Sequence, residues 1–464
     1  MNQWSFYITY IRRHYPGNGL RVVFPDSGAK ATEADINTIK MLKVYIILVT
    51  IAGFVFRFIF SFLARKRENS NQIAGKSSHG SQNLQGVLSD LQDSTITIRA
   101  SKSGAATLKN LWRLNNPFVS DSVELQQAYR HALVKAFHGT TDDSWEAIAR
   151  SVSVSLEPLL QRKSGADGVL IITANIKDIS RHASLVAVLK GLFDIDNVPL
   201  DTLTFIGSEI HRLTVRKKQY DALLTNPDDL PQDLQRSADN LIGILRDVFS
   251  NAKDSNELAR SVLCSISGTR DDFNPLNLVI PAFEAPWRGL YYTLLAVLQQ
   301  GSSSTDDLLV LRDSPARQRP SPAALAIAYE SLRLYPPIRR VRRDTRVDIE
   351  AVQRDPQHWG PSASIFNPSR FLDDKGAVRT ALLAPESAWM PFAEGSMKCP
   401  SAGGYSARMI VTLAGEVLRR VLPSQNNLWY LDGPEWDLSA RKGETLRAGR
   451  DEYASVNIIS QSIQ

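Results

Sequence analysis

Cysteine is scarce in this sequence, and the spacings typical of metal sites built from protein ligands alone are absent. Only two cysteines, Cys264 and Cys399, occur in 464 residues. Neither a Cys-x-x-Cys pair nor a His-Glu-x-x-His segment is present, so neither a zinc site nor a zinc protease is supported. Cys264 lies in an apolar segment typical of a protein core. If Cys399 binds a metal, no disulfide is possible, which fits a reducing compartment.

The sequence also lacks a strong charge of either sign. Its net charge of +6 is small for 464 residues. Outside the N-terminal region, acidic and basic residues are interspersed along the chain. A nucleic-acid-binding protein would be expected to concentrate basic residues in a patch or stripe. We therefore expect no nucleic-acid partner.

The most informative segment runs from Trp389 to Gly404. Cys399 lies between a loop that contains Phe392 and Gly395 and an apolar segment that begins at Tyr405, so a loop enters a helix here. The N-terminus of a helix stabilises a thiolate, which is the form of cysteine that binds metal. A buried cysteine without a ligand would show the same pattern, because free cysteine is often buried.

A second informative segment is a predicted helix between Ser321 and Pro336. Ser321 followed by proline is typical of a helix start, and a Pro-Pro pair at Pro336 is typical of a helix end. Glu330 and Arg333 are three residues apart and therefore share a face of this helix. Taken alone, such a pair is as typical of a solvated surface.

These motifs resemble the cytochrome P450 family. The cysteine loop matches the family's Phe-x-x-Gly-x-x-x-Cys haem-ligand loop, and the helix matches its Glu-x-x-Arg helix. Between them, Phe366–Phe371 matches a Phe-x-Pro-x-Arg-Phe segment whose arginine, here Arg370, completes a Glu/Arg/Arg cluster. The resemblance implies a mainly α fold with a small β region, and one large catalytic domain at residues 105–464. One transmembrane helix is predicted to precede it, from the apolar run described below.

The resemblance also implies the composition of the site. Haem b is the expected cofactor, with electrons from NADPH through NADPH-cytochrome P450 reductase. The implied residues are the iron ligand Cys399, the cofactor-binding Phe392, Gly395, Arg340 and Arg343, the catalytic Glu284 and Ala285, and the structural Glu330, Arg333 and Arg370. Either Arg340 or Arg343 would pair with a haem propionate, since arginine suits carboxylates. A solvated basic loop is the equal alternative.

A third predicted helix, from Asn277 to Gln300, is apolar on nearly all sides and is therefore expected to be central. It occupies the place of the family's A-G-x-[DE]-T helix. Glu284 keeps the acid, whereas Ala285 replaces the threonine. Pro286 removes an N–H and is expected to kink the helix. Glu284 either relays a proton or forms a structural pair with a nearby arginine such as Arg288.

Other positions depart from the family pattern. Met397 stands where the family has an arginine, and Ser401 where it has a glycine. The family's Gly-Tyr-x-Ile-Pro-x-Gly hairpin is absent after Arg333, which counts against a strand pair there. Trp145 and Arg150 are one residue too far apart to match the family's propionate-binding pair, so we expect no such role for Arg150.

The N-terminal part predicts a membrane anchor. Residues 1–43 form a tail that is either extended or amphipathic, residues 44–64 an anchor and residues 65–104 a linker rich in Ser, Asn, Gln and Gly. Val44–Leu63 has the apolar length that spans a bilayer, and a basic cluster follows it. We therefore expect a single pass through the endoplasmic reticulum membrane with a cytoplasmic catalytic domain. A buried core helix is the alternative.

The predicted function is haem-thiolate monooxygenation of an apolar small molecule. Gln353–Trp359 is most similar to fungal biosynthetic members, which indicates specialised metabolism. One alternative is a haem-thiolate isomerase or dehydratase that needs no reductase, as in family members that lack the threonine. The other is a degenerate, non-catalytic membrane protein that retains the fold.

Overall fold

A computed structural model describes most of the chain after residue 83. The described residues are 84–92, 108–116, 119–120, 122–165, 169–221, 230–250, 274–300, 305–342, 346–395, 398–424, 427–436, 445–449 and 451–463. The predicted tail and anchor, residues 1–64, lie outside them, as do Cys264, Arg343 and Met397. The part of the chain considered below belongs to one compact unit, Gln82–Gln464.

Helices make up most of this unit. They are α1 (Leu84–Gln92), α2 (Val123–Gly139), α3 (Asp142–Leu156), α4 (Ile176–Phe193), α5 (Leu200–Asp221), α6 (Gln232–Ser250), α7 (Leu276–Gln299), α8 (Thr305–Arg312), α9 (Pro322–Leu334), α10 (Ile349–Gln353), α11 (Pro356–Trp359) and α12 (Tyr405–Val421). The strands are β1 (Gln161–Ser164), β2 (Val169–Asn175), β3 (Arg340–Arg342), β4 (Arg346–Asp348), β5 (Leu428–Asp432) and β6 (Asn457–Ile463).

Helix α7 lies at the centre, as its apolar sequence predicts. It packs against α4, α9 and α12, and α12 packs in turn against α3, α8 and α9. Every residue from Gly289 to Gln299 is buried. Close packing with α12 occurs at Gly289, where an added Cβ would lie 2.9 Å from a side-chain carbon of Ile410. The C-terminal half of α7 therefore forms the core on which the other helices pack.

Helix α9 begins and ends as predicted. The Ser321 side chain accepts a hydrogen bond from the Ala324 N–H at 3.2 Å, and Pro322 occupies the first turn. The helix ends at Leu334, before the Pro-Pro pair. Residues from Ala326 to Leu334 are all buried. Glu330 and Arg333 therefore lie in the protein interior rather than on a solvated surface.

The larger sheet is antiparallel and has the strand order β1-β2-β6-β5. Ile172 on β2 lies opposite Ser460 on β6, and both side chains are fully buried. The Ser460 hydroxyl donates to the carbonyl of Val421 at the end of α12. The last strand of the chain is therefore attached to the helix that follows the cysteine loop.

One prediction from the sequence needs correction. The missing hairpin motif counted against a strand pair after Arg333, but β3 and β4 pair in antiparallel register through Arg340 and Asp348. Three residues on each strand are enough for this ladder, so the family's longer motif is not required. The predicted linker contains helix α1, whose Val87 and Leu88 are buried. Two adjacent apolar residues in a polar segment were a weak signal for this packing.

Among the described residues, no helix combines the length and the apolar character needed to cross a bilayer.

Candidate functional site

The loop before α12 folds back on itself, which brings Phe392 and Cys399 of the cysteine motif together. The Cys399 N–H donates to the Phe392 carbonyl at 3.0 Å, and the Lys398 N–H donates to the Gly395 carbonyl at 3.1 Å. Gly395 has a φ of +79°, a left-handed conformation that glycine adopts without steric cost. The spacing between Phe392 and Cys399 therefore corresponds to a closed loop.

Cys399 is a free, half-buried cysteine at the start of a single 3₁₀ turn, Pro400–Ala402. Its Sγ lies 3.0 Å from the Oγ of Ser401. Helix α12 begins only at Tyr405, after Gly404 with a φ of +98°. The cysteine thus precedes a short turn rather than α12 itself, which refines the sequence-based expectation of a loop that enters a helix directly.

Tyr129 on α2 is a neighbour of this cysteine that sequence reasoning missed. Burial, and secondarily the negative charge of a Cys399 thiolate, raise the pKa of Tyr129 well above its usual range. The Tyr129 hydroxyl donates to the Asn277 carbonyl at 3.3 Å, near the start of α7. Helix α2 therefore connects the neighbourhood of the thiol to the central helix. Helical periodicity identified α2 but gave no reason to single out this residue.

Aromatic packing fixes the first turn of α12. The Tyr405 ring lies 4.3 Å from the Phe137 ring and 5.0 Å from the Trp145 ring, measured between centroids. Trp145 is therefore a core residue. Arg150 is exposed and pairs with Glu146 at 3.4 Å; that it has no role towards a cofactor stays a prediction.

Glu330, Arg333 and Arg370 form a buried cluster. Two Arg333 nitrogens donate to the two oxygens of Glu330 at 2.7 and 2.8 Å. Both side chains are fully buried. Arg370 lies 3.4 Å from Glu330, which also accepts from the Asn367 N–H at 2.9 Å. The three residues singled out in the sequence thus meet, although their structural role remains a prediction.

Gln353 connects this cluster to the cysteine loop, and sequence reasoning missed this role. Its fully buried carboxamide donates to the carbonyls of Leu332 and Arg333 at 3.2 and 3.0 Å. The same side chain accepts from the Met390 N–H at 2.8 Å. Because these partners are distant in sequence, no local pattern predicts them. One side chain therefore sets the position of the loop relative to α9.

Of the two arginines expected to bind the cofactor, Arg340 is among the described residues. Arg340 lies on β3 and pairs with Asp348 at 3.1 Å, with nearly half of its side chain exposed. This pairing favours the solvated-loop alternative for Arg340. Lys398 pairs with Glu394 at 2.7 Å.

On α7, Glu284, Ala285 and Pro286 occupy one half-buried turn between the buried side chains of Phe283 and Trp287. The helix is continuous through Pro286, so the kink stays a prediction. Arg288 donates to the Pro337 carbonyl at 2.5 Å, which attaches α7 to the segment after α9.

The residues around Cys399 fit a metal whose other ligands come from a cofactor. Within the described part of the chain, no three His, Cys, Asp or Glu side chains are arranged to hold a metal ion. Cys399 supplies one soft thiolate donor from a rigid loop, and haem iron takes such a single axial thiolate. The donor set therefore agrees with haem. Arg340, the described arginine expected to pair with a haem propionate, pairs with Asp348 instead.

Comparison with known proteins gives the same answer. The family model for cytochrome P450 matches residues 324–415, a range that contains the α9 cluster and the cysteine loop. This part of the chain is similar to the cytochrome P450 family.

Curated relatives match over short segments. Cytochrome P450 734A2 of Oryza sativa subsp. japonica is 33% identical over 126 residues, 23% of this chain and 22% of that protein. Cytochrome P450 71A20 of Arabidopsis thaliana is 31% identical over 136 residues, 25% of this chain and 26% of that protein. The matches span only 15% of the relative's length in the shortest case.

Solved structures extend the likeness to most of the chain. The heme domain of a cytochrome P450DA mutant gives a TM-score of 0.53 at 14% identity, over 81% of this chain and 84% of that one. A zebra fish cytochrome P450 structure with progesterone gives 0.51 at 18% identity, over 74% and 85%. At these identities the comparison shows the P450 fold and says nothing of the substrate.

Proposed function

We propose that this protein is a haem-thiolate monooxygenase that inserts one oxygen atom of O2 into an apolar small molecule. The observation that carries the proposal is the placement of Cys399. Its thiol is half-buried in a loop closed through Phe392 and Gly395, and Gln353 holds that loop against the buried cluster of α9. The match of residues 324–415 to the cytochrome P450 family model supports the same activity.

Bound haem b would supply the iron at which dioxygen is activated, and a thiolate ligand favours cleavage of the O–O bond. In this chain Cys399 would hold the iron, and Phe392 and Gly395 would shape the loop beneath the cofactor. Glu330 and Arg333 would keep that region rigid. Because Asp348 engages Arg340, we propose that Arg340 contributes to cofactor binding less directly than Cys399 does. Arg343 stays a proposed partner of a haem propionate.

The α7 turn has few groups that could supply the proton that the reaction consumes. Ala285 has no side-chain donor and Pro286 has no N–H, so Glu284 is the residue of this turn that can hold or move a proton. General acid assistance is worth roughly 10²–10⁴-fold. A substrate without hydroxyl groups should therefore be oxidised slowly, with NADPH diverted to peroxide. Ala285→Thr should raise the ratio of product to NADPH consumed. Tight coupling in the unmodified enzyme on such a substrate would mean that another group supplies the proton, and would contradict the argument from Ala285.

We further propose that NADPH-cytochrome P450 reductase delivers the electrons, and that Val44–Leu63 anchors the protein in the endoplasmic reticulum membrane. The proposed substrates belong to specialised metabolism. The anchor rests on apolar length and on the basic cluster after it. Extraction of membranes with alkaline carbonate should leave the full-length protein in the pellet, and its release would contradict the anchor.

The activity is tested with isotope-labelled dioxygen. The purified protein, the reductase and NADPH are incubated under labelled dioxygen with a panel of apolar small molecules. The masses of the products are then measured by mass spectrometry. We expect products that carry one labelled oxygen atom, and none from Cys399→Ala. A panel on which the haem-loaded protein forms no labelled product would count against monooxygenation.

Isomerisation or dehydration by the same haem-thiolate site is the second candidate function, and Ala285 is the observation that favours it. A reaction of this kind needs neither NADPH nor dioxygen. Product formation under anaerobic conditions without reductase would therefore replace the first proposal by this one.

A further inference from the structure

We infer that Ser401 is a positioning residue that tunes electron donation from Cys399 through a hydroxyl-to-sulfur hydrogen bond, and that Ser406 orients it. The inference rests on the proposed haem-thiolate function. Ser401 Oγ lies 3.0 Å from the Cys399 Sγ, within hydrogen-bonding distance of sulfur. Ser406 Oγ donates to Ser401 Oγ at 2.6 Å. The two hydroxyls and the sulfur thus form a continuous chain.

The direction of this chain follows from the donors available. A thiolate carries no proton, so Ser401 must be the donor when Cys399 is ionised. A serine hydroxyl has one proton to donate and can accept at the same time. Ser401 therefore accepts from Ser406 and donates to the sulfur. Hydrogen bonds in such a chain polarise one another, so the outer hydroxyl strengthens the inner one.

Local backbone structure fixes the geometry. Ser401 lies inside the Pro400–Ala402 turn, which is closed by a 3.1 Å bond from the Ala402 N–H to the Cys399 carbonyl. Ser406 lies in the first turn of α12. All three members of the chain are half-buried. Two separate elements therefore hold two short side chains against the sulfur. The P450 pattern has a glycine at position 401, so this feature belongs to this chain rather than to the pattern.

A hydrogen bond to the ligand sulfur withdraws negative charge from it. The sulfur then donates less to iron, which stabilises the more electron-rich ferrous state. Removing the bond should therefore lower the haem reduction potential. We expect Ser401→Ala to lower the ferric-to-ferrous equilibrium constant roughly 3- to 10-fold. For a one-electron couple this corresponds to about 30–60 mV.

The test uses the full-length, haem-loaded protein and two readouts other than turnover. Spectroelectrochemical titration gives the reduction potential, and resonance Raman scattering gives the iron–sulfur stretching frequency. Ser401→Ala should lower the reduction potential and raise the stretching frequency. Ser401→Thr keeps a hydroxyl, so its potential and frequency should stay close to those of the unmodified protein. Ser387→Ala is the matched control, because its hydroxyl donates to the Leu382 carbonyl at 2.7 Å and belongs to the loop before the cysteine.

Ser406→Ala gives the second arm. It should shift both readouts in the same direction as Ser401→Ala but by less, and should have no effect in the Ser401→Ala background. If Ser401→Ala fails to retain haem, Ser406→Ala and Ser401→Thr decide the question. Unchanged potential and frequency in both alanine variants would overturn the inference, as would an equal effect of Ser406→Ala in both backgrounds. An unmodified protein that lacks thiolate ligation would overturn the proposed function itself.

Discussion

Replacement of Arg333 by methionine is the sharpest test of the buried cluster. Arg333 lies at zero exposure, where it satisfies both oxygens of Glu330. It also donates to the carbonyls of Gln353 at 2.6 Å and Ala363 at 2.7 Å. Methionine fills similar space but removes the charge and every donor. The variant therefore leaves a carboxylate and two carbonyls in the interior without their main partner.

The cost follows from the burial of the carboxylate. Removing one member of a buried ion pair typically costs about 3–5 kcal/mol, because the other charge remains in the interior. Glu330 keeps its bond from the Asn367 N–H and its contact with Arg370. We therefore expect a loss of about 3–4 kcal/mol in the free energy of unfolding. Glu330→Gln combined with Arg333→Met should cost less than the sum of the two single changes.

The assay is equilibrium unfolding in urea, followed by circular dichroism at several protein concentrations. Arg150→Met is the matched control. Arg150 also pairs with a glutamate on a helix, at 3.4 Å, but 71% of its side chain is exposed. An exposed pair contributes about 0–1 kcal/mol. A loss for Arg333→Met no larger than that for Arg150→Met would refute the account of the cluster.

Three further variants probe other parts of the structure. Burial lowers the pKa of His182 from 6.5 to about 4, so the unfolded chain binds a proton first as the pH falls. In urea titrations, His182 should therefore account for a loss of about 2 kcal/mol of stability between pH 7.5 and pH 5, in addition to the loss from His211, whose pKa is also lowered to about 4. His182→Leu should reduce the total loss by that amount, and the exposed control His358→Leu should not reduce it. Gln353→Leu removes three hydrogen bonds to backbone groups. It should cost about 2–4 kcal/mol in the free energy of unfolding in the same assay, and it should speed the transfer of haem to apomyoglobin. Unchanged haem retention would contradict the role of Gln353 in holding the cysteine loop. Gly404→Ala places a side chain on a residue with a φ of +98°, and should lower the free energy of unfolding by about 1–2 kcal/mol. The control is Gly243→Ala, on an exposed face of α6, where an added Cβ meets nothing within 4 Å. This control should leave the stability unchanged or raise it by up to about 1 kcal/mol.

Local signals in the sequence predicted the elements that carry the site. Capping and proline signals located α9, and apolar character located α7, because both depend on neighbouring residues. The burial of Glu330 and Arg333 was different. A pair three residues apart on a helix looks the same on a surface as in a core, and only the family resemblance decided between them.

The remaining features depend on contacts between distant segments. Gln353 acts through partners on α9 and on the cysteine loop, and Tyr129 acts through its position beside Cys399. Ser401 was visible in the sequence only as a departure from a glycine, whereas the structure shows a hydroxyl against the sulfur. The β3–β4 ladder was missed because strands of three residues carry too little periodicity to be recognised.

The central claim is that Cys399 is the axial ligand of haem iron, and the ferrous carbon monoxide spectrum tests it most directly. The chain has only two cysteines, so Cys264→Ala is the natural control for Cys399→Ala. The full-length protein and Cys264→Ala should both show the red-shifted Soret band of thiolate ligation, and Cys399→Ala should lose it. The same red-shifted band in Cys399→Ala, or its absence from the haem-loaded unmodified protein, would contradict the claim.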